Sequence, residues 1–126
     1  RTNMNEDIFE LKLKGYCCSQ IIMGLGLRKL GKENPDLIAA MAGLCNGLWQ
    51  GKICGIFSAA ICLLYLADPE EADRFNVAAF SEWFEDSFGS TECDVLMEGN
   101  PLNKIEKCPI MLDASFLKIC ELLDWD

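Results

Sequence analysis

Histidine is absent from this chain of 126 residues. Its absence excludes Ser–His and Cys–His nucleophile pairs, and also zinc, non-haem iron or haem held by histidine. Basic residues are scarce too, because 11 lysines and arginines stand against 20 aspartates and glutamates and give a net charge of −9. A basic face is typical of proteins that bind nucleic acid or an anionic membrane surface, so we expect neither partner. If the protein has redox or nucleophilic chemistry, cysteine is the residue that carries it.

A long uninterrupted apolar run is also missing. Residues 37–67 contain only Lys52 as a charged residue, but Asn46, Gln50 and several glycines divide the stretch. The pieces are shorter than the ~20 residues that a membrane-spanning helix needs, so we predict two buried helices and no span. The first fifteen residues lack the apolar segment of a secretory signal, and we therefore expect a cytoplasmic protein. The three residues before Met4 are consistent with a cloning remnant.

Capping residues, prolines and a glycine stand at positions that are typical of helix ends. Asn34 and Asp68 each stand before a proline, which is typical of a helix N-cap, and Gly31 follows an apolar segment as a C-cap does. The pattern predicts helices at 4–14, 17–30, 35–47, 55–67, 69–88 with a break near Phe75, 91–98 and 109–124. With 51% apolar residues, residues 1–126 suffice for one domain with its own core. The sequence thus predicts an all-α fold, a compact single-domain bundle of about five to seven helices.

The chain has eight cysteines, which is the feature that most suggests chemistry. In a reducing compartment such a number indicates free thiols, metal ligands or a redox site rather than a disulfide framework. Four of them fall at predicted helix N-termini: Cys18, Cys54, Cys93 and Cys108. A helix N-terminus offers unpaired N–H groups and the positive end of the helix dipole, and both stabilise a thiolate. These four are therefore the candidate functional cysteines.

The other four cysteines carry weaker signals. Cys62 and Cys120 lie inside apolar segments and are expected to be small core residues. Cys17 and Cys45 are left without an assigned role. A disulfide between the neighbours Cys17 and Cys18 would need a strained ring, so we expect none there.

Four segments carry a family resemblance: "GYCCSQ", "GKICGIFSAA", "FEDSFGSTECDVL" and "KCPIM". They resemble the redox-active protein family named for its C_GCAxxG_C_C cysteine pattern, and the resemblance covers nearly the whole chain. The four candidate cysteines match that pattern in order. Ile56 and Ala59 depart from it, since they stand where the family has alanine and glycine, and they add bulk near Cys54. The resemblance implies a redox-active protein that uses a four-cysteine site.

Three hypotheses about that site remain open. In the first, Cys18, Cys54, Cys93 and Cys108 hold an iron–sulfur cluster, or alternatively zinc, because four thiolates are a ligand set for both. Their spacings of 36, 39 and 15 residues would make such a site depend on the whole fold. This hypothesis predicts a role in electron transfer or sensing.

In the second hypothesis the same four cysteines are redox thiols without a metal, in an oxidoreductase or an electron carrier with a redox partner protein. Cys54 is then the better nucleophile, because Lys52 lies near it in sequence whereas Glu92 and Asp94 flank Cys93. In the third hypothesis the protein is an acidic helical interaction module with structural cysteines. Its apolar helices could pack against a second copy in a homodimer.

Overall fold

The computed structural model describes residues 4–125. Within these residues seven helices follow one another. Their bounds are α1 Met4–Leu13, α2 Cys18–Leu30, α3 Pro35–Ala40, α4 Gly55–Ala67, α5 at 69–88, α6 Cys93–Leu96 and α7 Lys104–Leu122. Short 3₁₀ turns at Met41–Leu44 and Pro101–Asn103 extend α3 and precede α7. The predicted all-α class is confirmed for the described residues, in which only an isolated bridge between Ile53 and Glu92 has β character.

The predicted helix caps are present. The side chains of Asn34 and Asp68 each accept a hydrogen bond of 3.1 Å from the backbone N–H three residues later. Gly31 ends α2 with a left-handed backbone, φ 67°. The predicted break near Phe75 takes the form of a π-helical turn at Ala72–Asn76, across which α5 continues. The predictions that rest on local cap chemistry are therefore confirmed.

Two predicted helix bounds were wrong. The predicted helix 35–47 stops early, because the backbone is extended at Cys45 and left-handed at Asn46. The last helix begins at Lys104 rather than at Pro109, which lies inside it. Proline costs one intrahelical hydrogen bond at an interior position. The helix nevertheless continues through Pro109, with Met111, Leu112 and other residues of its apolar face buried in the core beyond it.

Helices α2 and α4 form the centre of the core and pack directly against each other. Gly26 of α2 makes the approach possible, because a Cβ atom there would overlap the side chain of Leu63. Phe80 and Phe84 of α5 are fully buried and lie against Phe57 of α4, with ring centroids 6.0 and 5.2 Å away. Helices α1 and α7 pack around the same centre, so the bundle has one continuous core.

The prediction that Cys62 is a core residue was wrong, since Cys62 is exposed. Helix α4 is apolar on every side, but only the face of Ile56, Ala59, Ala60 and Leu63 is buried. Cys62 projects from the opposite face, whereas Cys120 of α7 is half-buried and packs against the core. No helix within residues 4–125 is both long enough and apolar enough to cross a membrane. Residues 1–3, interpreted from the sequence as a remnant, lie outside the described residues.

Candidate functional site

The structure brings the four candidate cysteines to one cavity of about 430 Å³. Cys18 is the first residue of α2, Cys54 directly precedes α4, and Cys93 is the first residue of α6. These three positions agree with the expected helix N-termini. Cys108 does not, because α7 starts four residues earlier and places Cys108 in its second turn. Residues up to 90 positions apart thus share one space, in which thiol chemistry can occur.

A short antiparallel bridge fixes two of these cysteines relative to each other. The backbone N–H of Cys54 donates to the carbonyl of Thr91 at 2.8 Å, and that of Cys93 donates to the carbonyl of Lys52 at 2.6 Å. Both side chains are buried, with exposed fractions of 5% and 9%. The bridge therefore ties the start of α4 to the start of α6 without using either thiol.

Gly47 allows the same two segments to come close. Its φ of +61° is in the region that favours glycine, and a Cβ atom there would lie 2.8 Å from the Cβ atom of Cys93 and 2.5 Å from the backbone nitrogen of Lys52. Any larger residue would have to displace Cys93 or the bridge. The left-handed backbone around Gly47 is thus part of what positions the thiol of Cys93.

Cys18 and Cys108 both line the cavity, and the pKa of each depends on the other. Hydrogen bonding from the Cys108 side chain is the main reason why the pKa of Cys18 lies below its ordinary value. The same hydrogen bond raises the pKa of Cys108, which keeps its proton. A thiolate stabilised by a neighbouring thiol is the arrangement expected of a reactive cysteine.

Cys54 and Cys93 have the opposite acidity. Burial raises the pKa of Cys54 to about 11, although the backbone N–H groups of Phe57 and Ile56 bond to its sulfur and lower the value. The expected effect of the helix start is therefore present, but desolvation outweighs it. Burial also raises the pKa of Cys93, and Asp94 adds to the shift as its position in sequence suggested. The structure thus favours Cys18 over Cys54 as the more acidic thiol.

Two lysines supply positive charge at the cavity. Lys12 and Lys104 both line it, and their charges lower the pKa of Cys18 and oppose the rise in the pKa of Cys108. The ammonium group of Lys104 donates a hydrogen bond to the side-chain oxygen of Asn46. The sequence pointed only to Lys52 as a nearby cation. Helical spacing gave no signal for Lys12 or Lys104, because each approaches the thiols through tertiary packing.

Two further cysteines line the cavity and form a disulfide, Cys17–Cys45, with Cα atoms 6.3 Å apart. The general expectation of no structural disulfide is corrected at this pair, which had no assigned role. The hydroxyl of Ser19 lies 3.2 Å from the sulfur of Cys17 and 3.0 Å from that of Cys45. A separation of 28 residues hid the pairing, since no local pattern relates the two positions.

The donor chemistry of the cavity suits a thiolate-bound group, but its geometry does not match a single metal ion. Within residues 4–125, no three cysteine, aspartate or glutamate side chains are arranged so that one ion could be held between them. The metal centre expected from the sequence therefore remains a hypothesis about this cavity.

Fold and cavity together define a small all-helical protein with a thiol-rich interior. The family model described as "Putative redox-active protein (C_GCAxxG_C_C)" matches residues 16–122, and the chain belongs to this family. The resemblance seen in the sequence is thereby confirmed. Neither the curated proteins nor the solved structures gave a match.

Proposed function

We propose that the protein is a dithiol–disulfide redox protein in which Cys18 is the nucleophile and Cys108 the resolving cysteine. The observation that carries the proposal is that both thiols line one cavity, where hydrogen bonding from the Cys108 side chain lowers the pKa of Cys18. Thiol–disulfide exchange needs an attacking thiolate and a second thiol within reach, and this pair offers both. Because the pair borders an apolar cavity with two lysines, the thiolate forms without a histidine.

The reaction proceeds in two exchanges. The Cys18 thiolate attacks a disulfide of the substrate, so that a mixed disulfide forms and the first substrate sulfur leaves as a thiolate and takes up a proton. The Cys108 thiolate then attacks the Cys18 sulfur, and the second substrate sulfur leaves. The substrate disulfide is reduced by two electrons, and the two cysteines are oxidised to a Cys18–Cys108 disulfide.

The first step prepares the second. The pKa of Cys108 is raised mainly by its hydrogen bond to Cys18, and the negative charge of the Cys18 thiolate contributes as well. Both effects end when Cys18 enters the mixed disulfide, because its charge is then gone. The positive charges of Lys12 and Lys104 remain and favour loss of the Cys108 proton. The resolving thiol is thus kept protonated until it is needed.

The test is the pH dependence of alkylation of the fully reduced protein, followed for each cysteine by peptide mass spectrometry. Cys18 should titrate below the pH range of an ordinary thiol and react at pH 7 roughly tenfold faster than Cys54. Cys108→Ala should move the Cys18 profile to higher pH, whereas Cys62→Ala should leave it unchanged. A Cys18 profile at or above the ordinary thiol range, or one indifferent to Cys108→Ala, would overturn the proposal.

A second candidate is an iron–sulfur centre held by Cys18, Cys54, Cys93 and Cys108 for electron transfer or sensing. Its support is that all four thiols border one cavity and that Cys93 and Cys108 add to the raised pKa of Cys54. Such a group would supply one-electron chemistry, and the four side chains would bind it and shield it from water. Zinc fits less well, given the absence of a single-ion arrangement among residues 4–125.

Anaerobic purification separates the two candidates. Visible charge-transfer absorption with bound iron, lost in Cys54→Ser and kept in Cys62→Ser, would support the cluster. A colourless and metal-free protein would overturn it. In the dithiol reaction Cys54 takes no part. Its charge raises the pKa of Cys18, so Cys54→Ser should leave Cys18 reactive and should not move its alkylation profile to higher pH.

A further inference from the structure

The Cys17–Cys45 disulfide borders the same cavity as the Cys18–Cys108 pair. Cys17 is the N-cap of α2 and is joined by one peptide bond to Cys18. Cys45 follows the 3₁₀ turn after α3 and is 3% exposed. A disulfide that only fastened two segments would not need to face the reactive thiols. Its position makes it accessible to attack from inside the cavity.

The surroundings of Ser19 suit the reduced form of this pair. Ser19 is fully buried, and its single hydroxyl proton donates to the Met41 carbonyl at 2.8 Å. A carbonyl can only accept, so the lone pairs of the hydroxyl are left facing the sulfurs of Cys17 and Cys45. A disulfide has no proton to give to them, whereas two thiols have one each. The hydroxyl therefore gains hydrogen-bond donors only when the disulfide is reduced.

We propose that Cys17 and Cys45 form a second redox couple, which exchanges electrons with the Cys18–Cys108 pair across the cavity, and that Ser19 favours its dithiol form. The exchange step rests on the proposed function of Cys18 and Cys108. The Ser19 contacts do not depend on that function, because they involve only the second couple. The chain would then hold two dithiols that can each be oxidised, and hence four electrons.

The exchange balances in two steps. The Cys18 thiolate attacks the Cys45 sulfur, forming a Cys18–Cys45 bond and releasing Cys17 as a thiolate that takes up a proton. The Cys108 thiolate then attacks the Cys18 sulfur, forming Cys18–Cys108 and releasing Cys45. One disulfide is reduced and one is formed, with no external oxidant. Attack on Cys45 is favoured over attack on Cys17, because a bond between sequence neighbours would close a strained ring.

The experiment introduces one disulfide per molecule into the reduced protein and determines which cysteines form it. The protein is fully reduced, oxidised anaerobically with one equivalent of diamide, quenched with acid, blocked with maleimide and mapped by mass spectrometry. In the wild-type chain both Cys17–Cys45 and Cys18–Cys108 should be present at equilibrium. Cys108→Ala should accumulate Cys18–Cys45, because the second step cannot occur. Cys62→Ala is the matched control and should give the wild-type distribution.

Ser19→Ala tests the tuning. Without the hydroxyl the dithiol form loses its acceptors, so the ratio of Cys17–Cys45 to Cys18–Cys108 should rise at least threefold. A ratio within twofold of wild type would overturn the role of Ser19. Circular dichroism checks that the Ser19→Ala variant is folded. The Cys108→Ala experiment does not use this variant, so its result does not depend on Ser19.

Failure of the exchange can be separated from failure of the proposed function. If Cys18 alkylates fast at pH 7 but only Cys18–Cys108 forms, and Cys108→Ala traps no Cys18–Cys45, the second couple is overturned and the first stands. If Cys18 alkylates slowly and no exchange occurs, both are overturned, and the alkylation rate identifies the proposed function as the cause.

Discussion

Cys54 combines deep burial with an acidity far from that of a free thiol. Its side chain is 5% exposed, and burial raises its pKa from 9.0 to about 11. The protonated thiol is therefore the form that the folded protein favours. A group whose pKa is higher in the folded than in the unfolded chain adds stability below the unfolded value, and this stability is lost as the pH rises toward the folded value.

We predict that the free energy of unfolding of the reduced protein falls between pH 9 and pH 11 by about 2–3 kcal/mol because of Cys54. Urea unfolding at several pH values measures it. Lysines and tyrosines titrate in the same pH range, so the wild-type protein is compared with Cys54→Ala. Between pH 9 and pH 11 the free energy of unfolding of Cys54→Ala should fall by about 2–3 kcal/mol less than that of the wild type. Equal pH slopes in the two proteins would contradict the assignment.

Features of single residues could be predicted from the sequence where their cause was local. The caps at Asn34 and Asp68 follow from side chains that bond to a backbone three residues away, and both are present. The raised pKa of Cys54 could not be predicted. The sequence shows the helix start, which lowers the pKa, but it does not show the burial, which raises it. Ser19 lies in a segment that matches the family pattern, but its contacts with Met41 and Cys45 could not be predicted, since these residues lie 22 and 26 positions away.

At the scale of elements, the close contact of α2 and α4 depends on Gly26. A methyl group there would overlap the buried side chain of Leu63, whereas one at Gly24 would lie 3.3 Å from the nearest atom of Leu11. Both substitutions by alanine gain about 1 kcal/mol of helix propensity. The pair of variants therefore separates packing from propensity within one helix.

We predict that Gly26→Ala lowers the free energy of unfolding by about 1–3 kcal/mol, because overpacking outweighs the gain in propensity. Gly24→Ala should be close to neutral or stabilising. Denaturant midpoints of the two variants provide the measurement. If Gly26→Ala were as stable as Gly24→Ala, the core would be able to yield at Leu63, and the contact would not be as tight as described.

Gly47 plays the corresponding part at the cavity. Gly47→Ala should lower stability by several kcal/mol, because the alanine meets a left-handed backbone and also the Cys93 side chain and the Lys52 backbone. Gly31→Ala is the matched control, since Gly31 has φ +67° with open space around it. The control should cost about 1 kcal/mol. Stability measured by urea unfolding should therefore differ between the two variants, and equal losses would show that Cys93 is not held by Gly47.

Sequence patterns predicted most helices, but not in every case which face of the helix is buried. Helix α4 is apolar all round, which led to the wrong prediction for Cys62. Pro109 suggested a helix start by the usual rule, but burial of the residues beyond it carries α7 through. The convergence of four cysteines on one cavity depends on how whole helices pack, which no window of sequence contains.

The whole molecule connects stability to redox state through the Cys17–Cys45 bond. It closes a loop of 28 residues, and the chain entropy removed from the unfolded state corresponds to about 3.5 kcal/mol. Reduction in the folded state gives Ser19 two thiol donors, each worth on the order of 0.5 kcal/mol or more. Oxidation should therefore raise the free energy of unfolding by less than the loop-closure entropy alone would.

We predict that oxidation of this pair raises the free energy of unfolding by about 2–3 kcal/mol, measured by urea unfolding in a Cys18→Ala background that cannot exchange. Adding Ser19→Ala should bring the gain closer to about 3.5 kcal/mol, because the reduced form then loses its acceptor while the loop is unchanged. An equal gain in both backgrounds would contradict the contribution of Ser19. The gain in the free energy of unfolding equals the difference in stability of this disulfide between the folded and the unfolded chain. A gain below the loop-closure value therefore means that the folded protein makes the disulfide easier to reduce than loop closure alone would.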